Sequence, residues 1–137
     1  YIAGFLDADG SIYVRAKPNS TYKYGFQIAP YIVFFQSQKD EENFSKVCAL
    51  IEFGHLRKRS DGILEYIISK SDDIKKFLTD IYPYLVMKNK QAELMLKILQ
   101  SKENVSSKSD FENLLKLIEH YRELNYSKKR KKRKITP

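Results

Sequence analysis

The feature that most limits how this chain can fold is its first ten residues, Tyr1-Ile2-Ala3-Gly4-Phe5-Leu6-Asp7-Ala8-Asp9-Gly10. They read as a short helix that ends with Gly10 in the left-handed conformation. Ala3, Gly4 and Ala8 are small, and Gly4 and Ala8 fall four apart on one face. This removes the side chains that normally keep helix axes about 8–10 Å apart. The spacing is best documented in membranes, but its steric reason is general. A second helix can then lie close along Ala3, Gly4, Asp7 and Ala8. Asp9 is the oddity, because a carboxylate in the last turn faces the negative end of the helix dipole at a cost of about 0.3–1 kcal/mol. It is badly placed for stability and well placed to hold a cation at a protruding tip. Two such helices side by side would bring two Asp9 tips together.

A chain of 137 residues is one domain with room for a real core. The single cysteine, Cys48, excludes an internal disulfide framework and a thiolate cluster for zinc, and its place on an apolar helix face predicts a buried thiol. No apolar run approaches the ~20 residues of a membrane span, so no membrane partner is expected. Net charge is +8, yet it is unevenly distributed. Seven of the 25 basic side chains lie in residues 126–137, leaving 18 against 17 acidic ones in the rest. Affinity of the body for nucleic acid must therefore come from how charges are arranged on one face. The division expected is a domain over residues 1–125 and a basic tail over 126–137.

Residues 11–17 alternate strictly, with Ile12, Val14 and Ala16 toward a core and Ser11, Tyr13, Arg15 and Lys17 outward. A turn at residues 18–21 predicts a return strand over 22–38, with Tyr24, Phe26 and Ile28 inward and Pro30 marking a bulge or edge. Residues 40–51 change to a helical period through Phe44, Val47, Cys48 and Ile51, and Gly54 ends that helix. A second hairpin follows over residues 55–69 around Ser60-Asp61-Gly62, with His55, Arg57, Arg59 and Glu65 on one face. Three helices complete the chain. The first is capped by Ser71 and stopped by Pro83, the second covers residues 89–100, and the third is capped by Ser109.

No strand–helix–strand crossover calls for a parallel sheet. The fold class is α+β: helix, hairpin, helix, hairpin, then helices, with a four-stranded antiparallel sheet covered by helices on one face. The two helix–hairpin units look like repeats, but only the first helix carries the Asp-Ala-Asp-Gly ending. If that ending is functional, the matching helix comes from a second copy, which makes the protein a twofold homodimer.

The outward hairpin positions carry Arg15, Lys17, Asn19, Thr21, Gln27, Arg57, Arg59 and Glu65, with Tyr13 and Tyr22 exposed among them. An antiparallel ribbon fits the DNA major groove. There arginine or lysine suits guanine, glutamine or asparagine suits adenine, and glutamate suits the cytosine amine.

The nine positions from Ile2 to Gly10 resemble, nearly letter for letter, the motif of the LAGLIDADG homing endonucleases. Further likeness to the chloroplast-type, single-motif branch runs through Lys17-Pro18-Asn19, Tyr22-Lys23, Gln36-Ser37-Gln38-Lys39, Arg57, Arg59, Lys88-Asn89-Lys90-Gln91-Ala92 and Leu124-Asn125-Tyr126-Ser127-Lys128. The resemblance implies a homodimeric, intron-encoded endonuclease in an organelle. It would cut a long pseudo-palindromic double-stranded DNA site across the minor groove and leave short 3′ overhangs. It also implies Asp9 as the metal-binding acid, the Ala8 carbonyl as an extra ligand, and Gln38 and Lys88 beside the scissile phosphate. Ser127, Lys128 and Lys131 would clamp phosphates. The expected cofactor is Mg²⁺, two or three per dimer, with Mn²⁺ or Ca²⁺ able to substitute in crystals, and no small-molecule cofactor. Mg²⁺ is typically held by one or two carboxylates with phosphate oxygens and waters, which suits this set. For Asp7 the expectation is a structural acid near the helix interface.

One departure stands out: four positions after Gln38, where the well-known branch has arginine, this chain has Glu42. Lys39 or another base would then supply the charge, or Lys88 alone would. The alternatives to cleavage are an intron RNA maturase and a cleavage-inactive DNA-binding regulator.

Overall fold

Alternation in the first hairpin builds one half of the sheet. In a computed structural model describing residues 1–125, helix α1 (Ile2–Asp9) runs directly into β1 (Gly10–Pro18), which pairs antiparallel with β2 (Phe26–Ser37). Helix α2 (Glu41–Cys48) leads to the second hairpin, β3 (His55–Lys58) and β4 (Ile63–Ile68). Helices α3 (Ser71–Ile81), α4 (Asn89–Glu103) and α5 (Lys108–Asn125) follow. The strand order is β1-β2-β4-β3, antiparallel throughout, so the two hairpins meet at β2 and β4. This is the expected α+β architecture. Ser127, Lys128 and Lys131, expected to clamp phosphates, lie outside the described residues.

The helices cover one face of the sheet. Ile12, Val14, Ile32, Phe34, Leu64 and Ile68 point into the core, meeting Leu6, Phe44, Ile74, Leu78, Met95, Ile98 and Tyr121 from the helices. Phe5 and Phe77 both set their ring edges against Phe34, at 5.4 and 6.1 Å between centroids. The Tyr121 hydroxyl donates to the Ile12 carbonyl, which ties α5 to β1.

Several local expectations are corrected. Gly10 is extended (φ −101°, ψ 173°) rather than left-handed. It is glycine because a Cβ there would stand 2.4 Å from Leu6 Cδ1 and 2.9 Å from the Leu6 carbonyl oxygen. The helix thus passes into the strand with no connecting residue, which fixes Asp9 at their junction. Gly10→Ala is expected to lower stability by about 1–3 kcal/mol, the usual cost of overpacking, read as a lower urea midpoint with unchanged slope.

Residues 22–25 are not strand. Tyr22 N and Asn19 N donate to the Asn19 and Gly25 carbonyls, and Gly25 takes φ +80°, so β2 starts only at Phe26. Of the two expectations for Pro30, the edge holds and the bulge does not: the register runs unbroken from Gly10↔Phe34 to Pro18↔Phe26. Pairing with β4 begins at Ile32, so at Pro30 the strand has one neighbour and tolerates a residue without an N–H. Ser71 is the first residue of α3, not its cap. At α5 the capping hydroxyl belongs to Ser107, which accepts from Asp110 N at 3.1 Å, rather than to Ser109.

Candidate metal centre and nucleic-acid interface

The last turn of α1 holds two acids with different environments. Asp7 is buried, and its carboxylate accepts from Val86 N at 2.8 Å and from Lys88 N at 2.9 Å. Burial pushes this carboxyl up, but the backbone N–H groups of Val86, Lys88 and Met87 and the charge of Lys88 outweigh it and hold the group below the usual carboxylate value. Asp7 is therefore occupied on both oxygens by backbone donors of its own chain. Asp9 is exposed, and among the described residues nothing makes a hydrogen bond or ion pair with its side chain.

Lys88 lies beside them. Its Nζ donates to the Asp7 main-chain oxygen at 2.7 Å. Burial lowers its ammonium below the ordinary lysine value, against the opposing pull of Asp7 and Asp9. A half-buried cation next to an exposed carboxylate is a suitable pair for a phosphodiester. Among the described residues no three His, Cys, Asp or Glu side chains cluster as a metal cage. One lone carboxylate fits a hard cation that takes its other oxygens from phosphate, water or a second copy.

Gln38 is exposed in a single 3-10 turn (Gln38–Asp40), where its N–H donates to the Gly62 carbonyl at 2.8 Å. Among the described residues no hydrogen bond links it to Asp9 or Lys88. Glu42 points into solvent beside Lys46, 3.7 Å away on the same helix. Lys39 is exposed on the adjoining turn.

Of the four small-face positions, Gly4 and Ala8 are exposed, whereas Ala3 turns into the core of its own chain and Asp7 is buried. Sequence reasoning missed their neighbours. The segment that Asp7 holds presents Val86 and Met87, 83% and 76% exposed, beside the end of α1. Apolar residues between two helices, in a linker owing nothing to helical periodicity, were the available signal.

The open sheet face carries the other expected residues. The register puts Arg15, Lys17, Gln27, Glu65 and Arg57 on it. Several are already engaged: Arg57 with Glu65 at 3.8 Å, Arg59 with Asp61 at 2.6 Å, and Lys17 Nζ with the Tyr31 hydroxyl at 3.2 Å. The Arg15 guanidinium lies 5.5 Å from the Tyr13 ring centroid. Asn19 Oδ1 accepts from Thr21 N and Oγ1 at 3.0 and 2.7 Å, so these two form one local turn, with Tyr22 exposed beside them. A groove of about 580 Å³ runs over this surface, lined by Tyr13, Arg15, Lys17, Phe35, Arg59 and Glu65 among others.

Comparison with known proteins places this geometry. Residues 2–98 match the family described as LAGLIDADG endonuclease. The chain belongs to the LAGLIDADG endonuclease family. It is 35% identical over 134 residues to DNA endonuclease I-CreI of Chlamydomonas reinhardtii, covering 96% of this chain and 80% of the relative. Identity to DNA endonuclease I-CvuI of Chlorella vulgaris is 29% over 109 residues, covering 80% and 68%. A solved structure of I-CvuI with the I-CreI target in the presence of Mg superposes with TM-score 0.85 at 28% identity, covering 93% of this chain and 82% of that one. The homing endonuclease I-TnaI superposes at 0.76, with 26% identity and 85% and 82% covered. Within the LAGLIDADG family, then, the α1 tip and the open sheet face belong to a single endonuclease scaffold.

Proposed function

We propose that this LAGLIDADG family member is a homing endonuclease that acts as a homodimer on a long pseudo-palindromic double-stranded DNA site. It cuts both strands across the minor groove to leave short 3′ overhangs. The observation that carries the reading is Asp9: an exposed carboxylate that makes no hydrogen bond or ion pair among the described residues, fixed at the junction of α1 and the sheet, with the Lys88 ammonium at hand. A second copy approaching over Gly4 and Ala8 brings a second Asp9, and Val86 and Met87 give that contact apolar surface. The two sheets then extend along the duplex, and Arg15, Lys17, Asn19, Thr21, Tyr22, Gln27, Arg57, Arg59 and Glu65 face its grooves.

In this reading Asp9 and the Ala8 carbonyl hold divalent ions, two or three per dimer, with Mg²⁺ as the working ion and Mn²⁺ or Ca²⁺ as substitutes. Bound there, such ions would supply polarisation of the scissile phosphate and easier ionisation of the attacking water. Lys88 holds positive charge against the phosphoryl oxygens as negative charge builds on them. Gln38 orients water at the edge of the site. The supports are the family, the DNA complexes of I-CvuI solved with Mg and with Ca, and the donor set around Asp9. An organellar setting rests on the resemblance to the chloroplast-type branch. The test is incubation of the full chain with a library of near-palindromic duplexes, in Mg²⁺ and in EDTA, with sedimentation of the protein–DNA complex. Cleavage in EDTA, or a single chain on the cut duplex, would overturn the reading.

The basic tail contributes sequence-independent affinity. Deleting residues 129–137 is expected to weaken binding to all duplexes alike and to reduce the salt slope by up to about 5 per chain. Binding titrations from 50 to 200 mM salt check this, and loss of discrimination at unchanged bulk affinity would contradict it.

A further inference from the structure

The register fixes which β2 side chains face the open side of the sheet. Ala29, Tyr31, Val33 and Phe35 alternate there with the core residues Ile28, Ile32 and Phe34. None of these four offers the paired donor and acceptor that reads adenine or guanine. The Tyr31 hydroxyl accepts from Lys17 Nζ, and its ring stacks on Tyr13 with centroids 5.1 Å apart and planes 26° from parallel. Ile67 of β4 lies opposite Val33, and Val33 itself is only 1% exposed. Tyr13, Tyr31, Phe35 and Ile67 remain partly exposed. Polar side chains surround this strip, Arg15, Lys17 and Gln27 at one end, the Arg57–Glu65 pair at the other, and Ser11 and His55 on the outer strands level with Val33 and Ile67. A face with a polar border and an apolar middle is matched to a partner with the same alternation.

In the major groove the apolar group is the 5-methyl of thymine. We infer that the middle of each half-site is recognised through thymine methyl groups seated against Tyr13, Tyr31, Phe35 and Ile67, with hydrogen-bonded readout confined to the flanks. This rests on the endonuclease reading above and specifies the kind of DNA it acts on. From Tyr31 to Phe35 the strand advances about 13 Å, the length of about four base pairs.

The test begins with selection of cleaved duplexes from a random near-palindromic library in Mg²⁺. Thymines on either strand are expected to dominate a block of about four base pairs within each half-site. Deoxyuridine is then placed for thymidine in that block, and binding of the unaltered protein is measured in Ca²⁺. Each lost methyl is expected to weaken binding about fourfold, the value of one buried methyl group. Phe35→Gln and Tyr31→Ser are expected to abolish that sensitivity at the positions they face. Selected sites carrying G·C pairs across the block, or equal binding of the thymidine and deoxyuridine duplexes, would overturn the inference while leaving the endonuclease intact. A library with no cleaved member in Mg²⁺ would instead overturn the endonuclease reading and this inference with it.

Discussion

Asp9→Asn is expected to leave duplex binding in Ca²⁺ within a few-fold of the unaltered protein and to lower the single-turnover cleavage rate by on the order of 10³-fold or more. The side chain is exposed and makes no hydrogen bond or ion pair among the described residues, so the amide disturbs neither core nor helix. Stability should change little, because relief at the negative end of the α1 dipole is offset by loss of the Asp9 pull on the Lys88 ammonium. Cleavage lost at unchanged binding and stability separates a chemical role from a structural one. Equal cleavage by the variant in Mg²⁺ would remove Asp9 from the mechanism.

Asp7→Ala gives the opposite pattern. The substitution strips the partners from Val86 N and Lys88 N and lets go of the segment that carries Lys88. Two backbone donors that lose a charged acceptor at a buried position cost about 3 kcal/mol together, and a domain of this size would melt about 10 °C lower. Asp7→Asn retains one acceptor oxygen and should lose about half as much. The pH dependence follows from the sign of the shift. The Asp7 carboxyl sits below its ordinary value of 3.8, so its contribution is present above that value and is lost as pH falls through the lower, folded-state value. In Asp7→Asn that acid limb should flatten, as urea midpoints measured between pH 5 and pH 2 would show. An unchanged limb would assign acid unfolding to other carboxylates.

Much of the fold was legible because its periods are clean. Ile12, Val14 and Ala16 against Tyr13, Arg15 and Lys17 leave one orientation for β1, and Phe111, Leu114, Ile118 and Tyr121 leave one face for α5. The misreadings share a physical source: each depended on what lay across the chain rather than along it. Gly10 looks like a helix stop until Leu6 is seen to fill the space its Cβ would need. Pro30 suggests either a bulge or an edge, and only the pairing of β4 from Ile32 onward decides for the edge. At the candidate site, Asp9 and Lys88 are singled out by the motif and its resemblance. Their being held together by Asp7, 81 residues from Lys88, could not be read there. The apolar middle of β2 was hidden for the same reason, since faces around Pro30 cannot be assigned without the register.

Strand β3 is four residues long, lies at one border of the sheet and is exposed at every position. A border strand has unpaired backbone groups that invite another chain to add itself, and short length with charged side chains is how natural sheets discourage that. Arg57 and Lys58 therefore guard solubility while Arg57 also lies on the open face of the sheet. Retargeting this protein by exchanging Arg57 for an apolar or β-branched residue would expose the border to self-association. Variants made for new sites should be screened for aggregation alongside cleavage, and a compensating charge at His55 would be the natural remedy.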